Sequence, residues 1–119
     1  EYIHNAMTNV VHSEKGTAKL INKNINYKIA GKTGTAQVVS IAEEDYDKSK
    51  LDPSQWDHAL FIAFAPEEQP EIAVALIVEN GEFGSVTAAP IAKKVIETYM
   101  KKRTRVPNDI GEIYKNAKF

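Results

Sequence analysis

Residues 29–39 read Ile-Ala-Gly-Lys-Thr-Gly-Thr-Ala-Gln-Val-Val, and the reading of this stretch decides the fold. A cation, two hydroxyls and two glycines sit between apolar flanks, a pattern that predicts a β-strand. Strand alternation puts Lys32 and Gly34 on one face and Thr33, Thr35 and Gln37 on the other. Gly31 and Gly34 permit close approach of another chain or a ligand. Such a strand can lay its backbone along an extended substrate while Lys32, Thr33 and Thr35 hold a carboxylate. The competing reading is the end of a phosphate-binding loop. That motif needs a glycine five positions before Gly31, where Asn26 stands, and a helix afterwards, where this segment continues as a strand.

Working outward, two further strands are expected. His58–Ala65 carries Leu60, Phe61, Ile62 and Phe64, and Ile72–Val78 reads Ile-Ala-Val-Ala-Leu-Ile-Val. Both runs are almost continuously apolar, which predicts central strands covered on both faces. Pro66-Glu67-Glu68-Gln69-Pro70 is short enough to make them an antiparallel pair, and Glu79-Asn80-Gly81 closes the second. Residues 1–12 pair Tyr2, Ile3, Ala6, Met7, Val10 and Val11 about four apart, a helix with one buried face that stops near Gly16. Residues 17–28 read as a polar loop, and 42–55 as a charged, exposed one. A last helix begins near Pro90, with Ile91, Val95, Ile96, Tyr99 and Met100 on its apolar face and Lys93, Lys94, Lys101 and Lys102 in solvent. The order helix, strand, strand, strand, helix predicts an α+β unit over 1–102 and a polar tail over 103–119, with a short helical turn at Ile110–Tyr114. An apolar sheet with so few helices to cover it predicts a part of a larger domain.

Composition narrows the function. With 119 residues, 43% hydrophobic and 26% charged, the chain is ordinary globular material. A net charge of -1 argues against nucleic acid or an anionic membrane surface as main partner. The absence of cysteine removes disulfides, thiol catalysis and cysteine metal sites. No apolar run is long enough to span a bilayer. The start, Glu1-Tyr2-Ile3-His4, lacks Met and signal-peptide shape, which predicts a cut inside a longer protein.

The wider pattern is more specific than the tripeptide. Ala30-Gly31-Lys32-Thr33-Gly34-Thr35-Ala36-Gln37, then Asp57-His58-Ala59-Leu60-Phe61-Ile62-Ala63-Phe64-Ala65-Pro66, then Ile72–Gly81, then Ala89-Pro90 resembles the class B penicillin-binding proteins. These are the monofunctional D,D-transpeptidases of peptidoglycan synthesis. The Asp-His-Ala-Leu-Phe-Ile run looks most like the elongation-type branch, the penicillin-binding protein 2 group. The resemblance covers roughly residues 1–100. It implies the C-terminal portion of a β-lactamase/transpeptidase-like fold, with these strands as the last three of its sheet. It implies that Lys32 supplies charge to the substrate carboxylate and to proton transfer, while Thr33 and Thr35 hydrogen-bond that carboxylate. The Thr35 backbone N–H would form one arm of the oxyanion hole. Thr33, Gly34, Thr35 and Gln37 would line the substrate, whose backbone adds to this strand. The implied ligands are the D-Ala-D-Ala end of a stem peptide and β-lactam antibiotics. The implied partners are the rest of the transpeptidase domain, even as a separate chain, and the elongation machinery. The implied location is the periplasmic face of the inner membrane. No metal and no organic cofactor is called for.

The family nucleophile is the serine of a Ser-x-x-Lys motif, and here the pattern departs. The residues three after Ser13, Ser40, Ser49, Ser54 and Ser85 are Gly16, Glu43, Asp52, Asp57 and Ala88. The residues two after them include no Asn, so Ser-x-Asn is absent as well. Tyr114-Lys115-Asn116 mimics a variant of that motif but lies on the wrong side of the Lys-Thr-Gly run. The chain alone is therefore expected to be inactive. Two alternatives stand beside the transpeptidase: a serine β-lactamase or β-lactam sensor of the same fold, and a non-catalytic peptide-binding module. His4, His12 and His58 are read as structural, His58 with the stronger functional claim because it begins a strand near a cleft. Trp56 and Tyr46 read as loop anchors that the resemblance places beside the cleft, and Glu43-Glu44-Asp45 as a solvated charge run.

Overall fold

A computed structural model describes residues 1–39 and 51–103. The expected α+β order is observed: helix α1 (Tyr2–His12), strands β1 (Ala30–Ala36), β2 (His58–Ala65) and β3 (Ile72–Val78), and helix α2 (Ala89–Arg103). The strands form one antiparallel sheet in the order β1-β2-β3. Lys32 stands opposite Ile62, Gly34 opposite Leu60 and Thr35 opposite Ala59. β2 is thus central, whereas β3 is an edge strand among the described residues, a correction to the expectation of two central strands. The calls on Tyr46, on Glu43-Glu44-Asp45, on Ile110–Tyr114 and on the polar tail lie outside the described residues.

Register defines two faces. Gly31, Thr33 and Thr35 share the first with Ala63, Phe61 and Ala59, and these with Val74, Leu76 and Val78. This face carries the core. Ala59, Phe61, Ala63 and Ala65 cluster with Ala88, Ala89, Ala92 and Ile96 from the segment ending in α2. The buried stripe of α2 is Ala89, Ala92 and Ile96, so of the expected apolar face Ile96 is buried and Met100 packs against the core, while Ile91, Val95 and Tyr99 turn outward. Ile91 is 47% exposed, Val95 44% and Tyr99 39%. Small alanines win because they let the helix approach a sheet already filled by Phe61. Lys93 also departs from its expected solvent position: its Nζ donates to the Lys23 carbonyl at 2.6 Å and pairs with Glu97 at 3.6 Å.

The second face carries Lys32, Gly34, Ala36, Leu60, Ile62, Phe64, Ala73, Ala75 and Ile77. Helix α1 lies over one end of it, where His4 packs against Phe64 with centroids 5.4 Å apart and Met7 borders Ile62 and Ala75. Of the predicted α1 stripe only Val11 is fully buried, and Tyr2 and Ile3 stand 92% and 77% exposed. Ile62 (49%) and Ile77 (60%) are open as well, so the second face of β2 and β3 is covered only in part among the described residues. The loop read as merely polar contains a 3₁₀ turn, Lys19–Asn22, with Ala18 and Ile21 buried at its core side.

The chain after β3 turns sharply through Asn80 and Glu82, both in the left-handed region (φ 53° and 59°). It then forms a single π-helical turn, Gly84–Ala88, that leads into α2. Gly84 lies flat on the sheet. A side chain there would overlap the Leu60 carbonyl oxygen and sit 2.9 Å from the Gly34 oxygen and 3.2 Å from its nitrogen. Because those neighbours are backbone, no rotamer change relieves the clash. Gly84→Ala should destabilise the protein by about 1–3 kcal/mol, and Phe61→Ala, which empties the centre of the core, by about 3–5 kcal/mol. Chemical denaturation checks both, and a Gly84→Ala protein as stable as the parent would refute the tight crossing.

Candidate active-site strand

Strand β1 pairs only with β2, so its outer edge has no strand partner among the described residues. The peptide groups can be oriented. The Gly34 nitrogen and oxygen and the Leu60 oxygen converge on the point where a Gly84 side chain would begin, so Gly34 turns its N–H and C=O toward β2. Antiparallel alternation then turns those of Thr33 and Thr35 outward. Consistently, the Thr33 carbonyl accepts from the Lys32 ammonium at 2.6 Å. The Thr35 N–H is thus presented at the open edge.

The side chains reach that edge from both faces. Lys32 rises from the second face beside Ile62, and Thr33 and Thr35 from the first, as the alternation predicted. Lys32, Thr35 and Gln37 are exposed and Thr33 is half-buried. Gln37 lies just past the end of β1, so the structure brings it near but not onto the strand. One neighbour was not legible beforehand. Thr17, from the loop after α1, places its Oγ1 3.2 Å from that of Thr33.

Each end of β1 is fastened. At the start, His12 Nε2 accepts from the Ile29 N–H at 3.1 Å. Burial, with help from the nearby Lys28 charge, pulls the His12 pKa below its ordinary value. At the far end, Asp57 Oδ1 accepts from the Val38 N–H at 3.3 Å while the Asp57 carbonyl accepts from the Glu82 N–H at 2.8 Å. His58 Nδ1 accepts from the Asn80 N–H at 2.9 Å, which leaves the ring proton on Nε2 in the neutral imidazole. The Asn80 amide donates to the carbonyls of Ser54 and Trp56, both at 2.8 Å. His58 and the Trp56 carbonyl thus take part in fixing this turn, and His4 Nε2 meets the Glu67 carbonyl at 2.9 Å. Just before Trp56, Asp52 caps a short turn, and two hydrogen bonds from Ser54 hold its carboxyl below the usual range.

No group of three acidic, histidine or cysteine side chains able to hold a metal occurs among the described residues. Concave surface lies elsewhere, for example a cleft of about 650 Å³ lined by His12, Asn26, Tyr27 and Glu67. It contains none of the hydroxyls or the ammonium of β1, so the open edge is the better candidate for chemistry.

An open strand edge with an ammonium, hydroxyls and an outward N–H has the chemistry to pair with an extended chain and hold a carboxylate. Residues 1–97 match the penicillin binding protein transpeptidase domain, and the chain belongs to that family. Within it the chain is PBP2-like. It is 47% identical over 103 residues, 86% of its length, to the peptidoglycan D,D-transpeptidase MrdA of Acinetobacter baumannii. It covers 15% of that relative. A crystal structure of Pseudomonas aeruginosa PBP2 in complex with WCK 5153 superposes with a TM-score of 0.66 at 44% identity, over 81% of this chain and 18% of that one. A complex of Helicobacter pylori PBP2 with MreC gives 0.61 at 31% identity, over 79% and 16%. The chain therefore spans about 15% of the length of the curated relative it matches.

The lowered His12 pKa has a definite sign. The neutral ring is favoured by folding, so its contribution is fully present above pH 6.5, the unfolded value, and is lost as pH falls through the lower folded value. Thermal unfolding at pH 7.5 and pH 5 should show the loss. His12→Gln, which can still accept from Ile29, should show a smaller acid-induced drop, and an unchanged drop would place the titration elsewhere.

Proposed function

We propose that this chain is the C-terminal part of a serine D,D-transpeptidase domain that cross-links peptidoglycan stem peptides and binds β-lactams. It supplies the Lys-Thr-Gly strand and not the nucleophile. The observation that carries the reading is the open edge of β1, where Lys32, the Thr33 and Thr35 hydroxyls and an outward Thr35 N–H lie along one strand. The residues adjacent to this strand do the binding steps. A stem peptide ending in D-Ala-D-Ala adds its backbone along the edge. Its terminal carboxylate takes the Thr33 and Thr35 hydroxyls and the charge of Lys32. The scissile carbonyl then lies at the Thr35 N–H, which stabilises the oxyanion as the serine attacks and terminal D-Ala leaves. That serine comes from outside this chain, since none here heads a Ser-x-x-Lys. A β-lactam carboxylate and carbonyl occupy the same two positions.

The half-open second face fits this reading. Ile62 and Ile77 form an apolar surface on the face that bears Lys32, suited to receive the part of the domain that carries the nucleophile. The domain would stand on the periplasmic face of the inner membrane. The complex of the Helicobacter pylori relative with MreC supports an assignment to the elongation machinery. The named D,D-transpeptidase relative favours this reading over a β-lactamase or a sensor. It equally favours it over a non-catalytic module.

The test uses the full-length parent protein and fluorescent penicillin, read on a denaturing gel. Label should appear on a serine upstream of this region. Lys32→Ala should slow labelling by about 10²–10³-fold, the usual cost of an oxyanion-hole-type electrostatic group, with the melting temperature taken alongside to separate a lost contact from a lost fold. Labelling at the parent rate in that variant would overturn the assignment of Lys32. Fast release of the label would instead indicate a β-lactamase.

A further inference from the structure

We infer that Thr17 is a positioning residue of the substrate-carboxylate site and acts through Thr33, an inference that rests on the function proposed above. Its hydroxyl lies 3.2 Å from that of Thr33, with either oxygen able to donate. A hydroxyl has one hydrogen to give and two lone pairs to receive with. When Thr33 donates its hydrogen to a carboxylate, the contact with Thr17 can persist in one sense only, with Thr17 donating and Thr33 accepting. The resulting chain, Thr17 to Thr33 to carboxylate, holds the Thr33 hydroxyl in its donating orientation and polarises it. With no substrate present the same pair restrains the Thr33 side chain, so its hydroxyl oxygen is placed before binding.

Thr17 is suited to this because its backbone is fixed on both sides. Gly16 is pressed against α1: a side chain there would overlap the Val10 carbonyl oxygen and sit 2.6 Å from that of Asn9. The Gly16 N–H donates to Ser13 at 3.0 Å, and the Gly16 carbonyl accepts from the Lys19 N–H at 3.2 Å. On the other side Ala18 is 1% exposed and its N–H donates to the Val10 carbonyl at 3.0 Å. Thr17 itself is exposed, so its hydroxyl contributes little to the core. A residue held this firmly, with its side chain outside the core and against a site hydroxyl, is placed for the site and not for the fold.

The experiment measures the second-order rate of acylation by fluorescent penicillin in the full-length parent protein. The variants are Thr17→Val, Thr17→Ser, Thr33→Val and the Thr17→Val/Thr33→Val double, with melting temperatures taken alongside. Thr17→Val keeps the shape and removes the hydroxyl, and should slow acylation about three- to tenfold, the worth of one net hydrogen bond. Its melting temperature should stay within about 2 °C of the parent's, as for an exposed side chain. Thr17→Ser should recover most of the rate. The double variant should be no slower than Thr33→Val, because Thr17 has nothing to position once the Thr33 hydroxyl is gone. A parent-like rate in Thr17→Val with a slowed Thr33→Val overturns the inference and leaves the proposed function standing. Independent, multiplying losses in the double variant overturn it too, since Thr17 would then act by its own route. A parent-like rate in Thr33→Val removes the carboxylate role of Thr33 itself, and the inference falls with it.

Discussion

Backbone meets backbone where the segment after β3 crosses the sheet at Gly34. The absence of a side chain at Gly84 lets the crossing settle onto the Leu60 carbonyl and the Gly34 peptide groups. That contact fixes the inner side of β1 against β2 and sets the entry to α2, whose Ala89, Ala92 and Ile96 cover Phe61. It also marks which peptide groups of β1 are spent on β2, a choice that the register with β2 makes. Gly34 faces inward, so its neighbours Thr33 and Thr35 face outward. A single close approach thus ties the core, the helix and the polarity of the open edge together.

An edge strand is the one place in a sheet where side chains from both faces can serve one ligand. In a central strand Lys32 and Thr33 would be separated by the thickness of the sheet. At the rim of β1 they flank the same line of peptide groups, and a peptide laid there meets both. Open edges invite unwanted pairing, and charge on the edge is one device that discourages it. Under the proposed function Lys32, placed on this strand, is gatekeeper and substrate contact alike. The fastenings, His12 to Ile29 and Asp57 to Val38, hold the strand just beyond its two ends and leave Thr33 and Thr35 unengaged by them.

The fold was largely legible because its signals are periodic or local. Alternation from Lys32 to Thr35 gave the faces, the short Pro66–Pro70 connection gave the antiparallel pair, and Ala89-Pro90 gave the start of α2. Illegible were the features that depend on who else is near. Continuous apolar runs in β2 and β3 announce burial on two faces, but the pattern cannot say whether the cover lies within these residues. In α2 the apolar period marked Ile96, which is buried, but also Ile91 and Val95, which are not, whereas Ala89 and Ala92 lie against the sheet because small side chains allow closeness. Thr17 was invisible because sixteen residues separate it from Thr33, and only the tight turn at Gly16 brings the two hydroxyls together. A glycine followed by a hydroxyl and a buried alanine is too common a string to announce that by itself.

Lys32 also shows why a site can be present in a strand and still depend on what packs around it. Two unit charges 4 Å apart attract by about 1 kcal/mol in bulk water and about 4 kcal/mol at the effective dielectric near a protein surface. Beside Lys32 the second face is apolar yet open, with Ile62 49% exposed. With water on that face an ammonium is a weak anchor for a carboxylate. With the remainder of a transpeptidase domain packed on Ile62 and Ile77, the same ammonium sits against a dry wall on one side and the substrate on the other. Under the proposed function the apolar surface that stabilises assembly of the domain is therefore also what gives Lys32 its strength. The nucleophile and the low dielectric around Lys32 then arrive together, in one packing step.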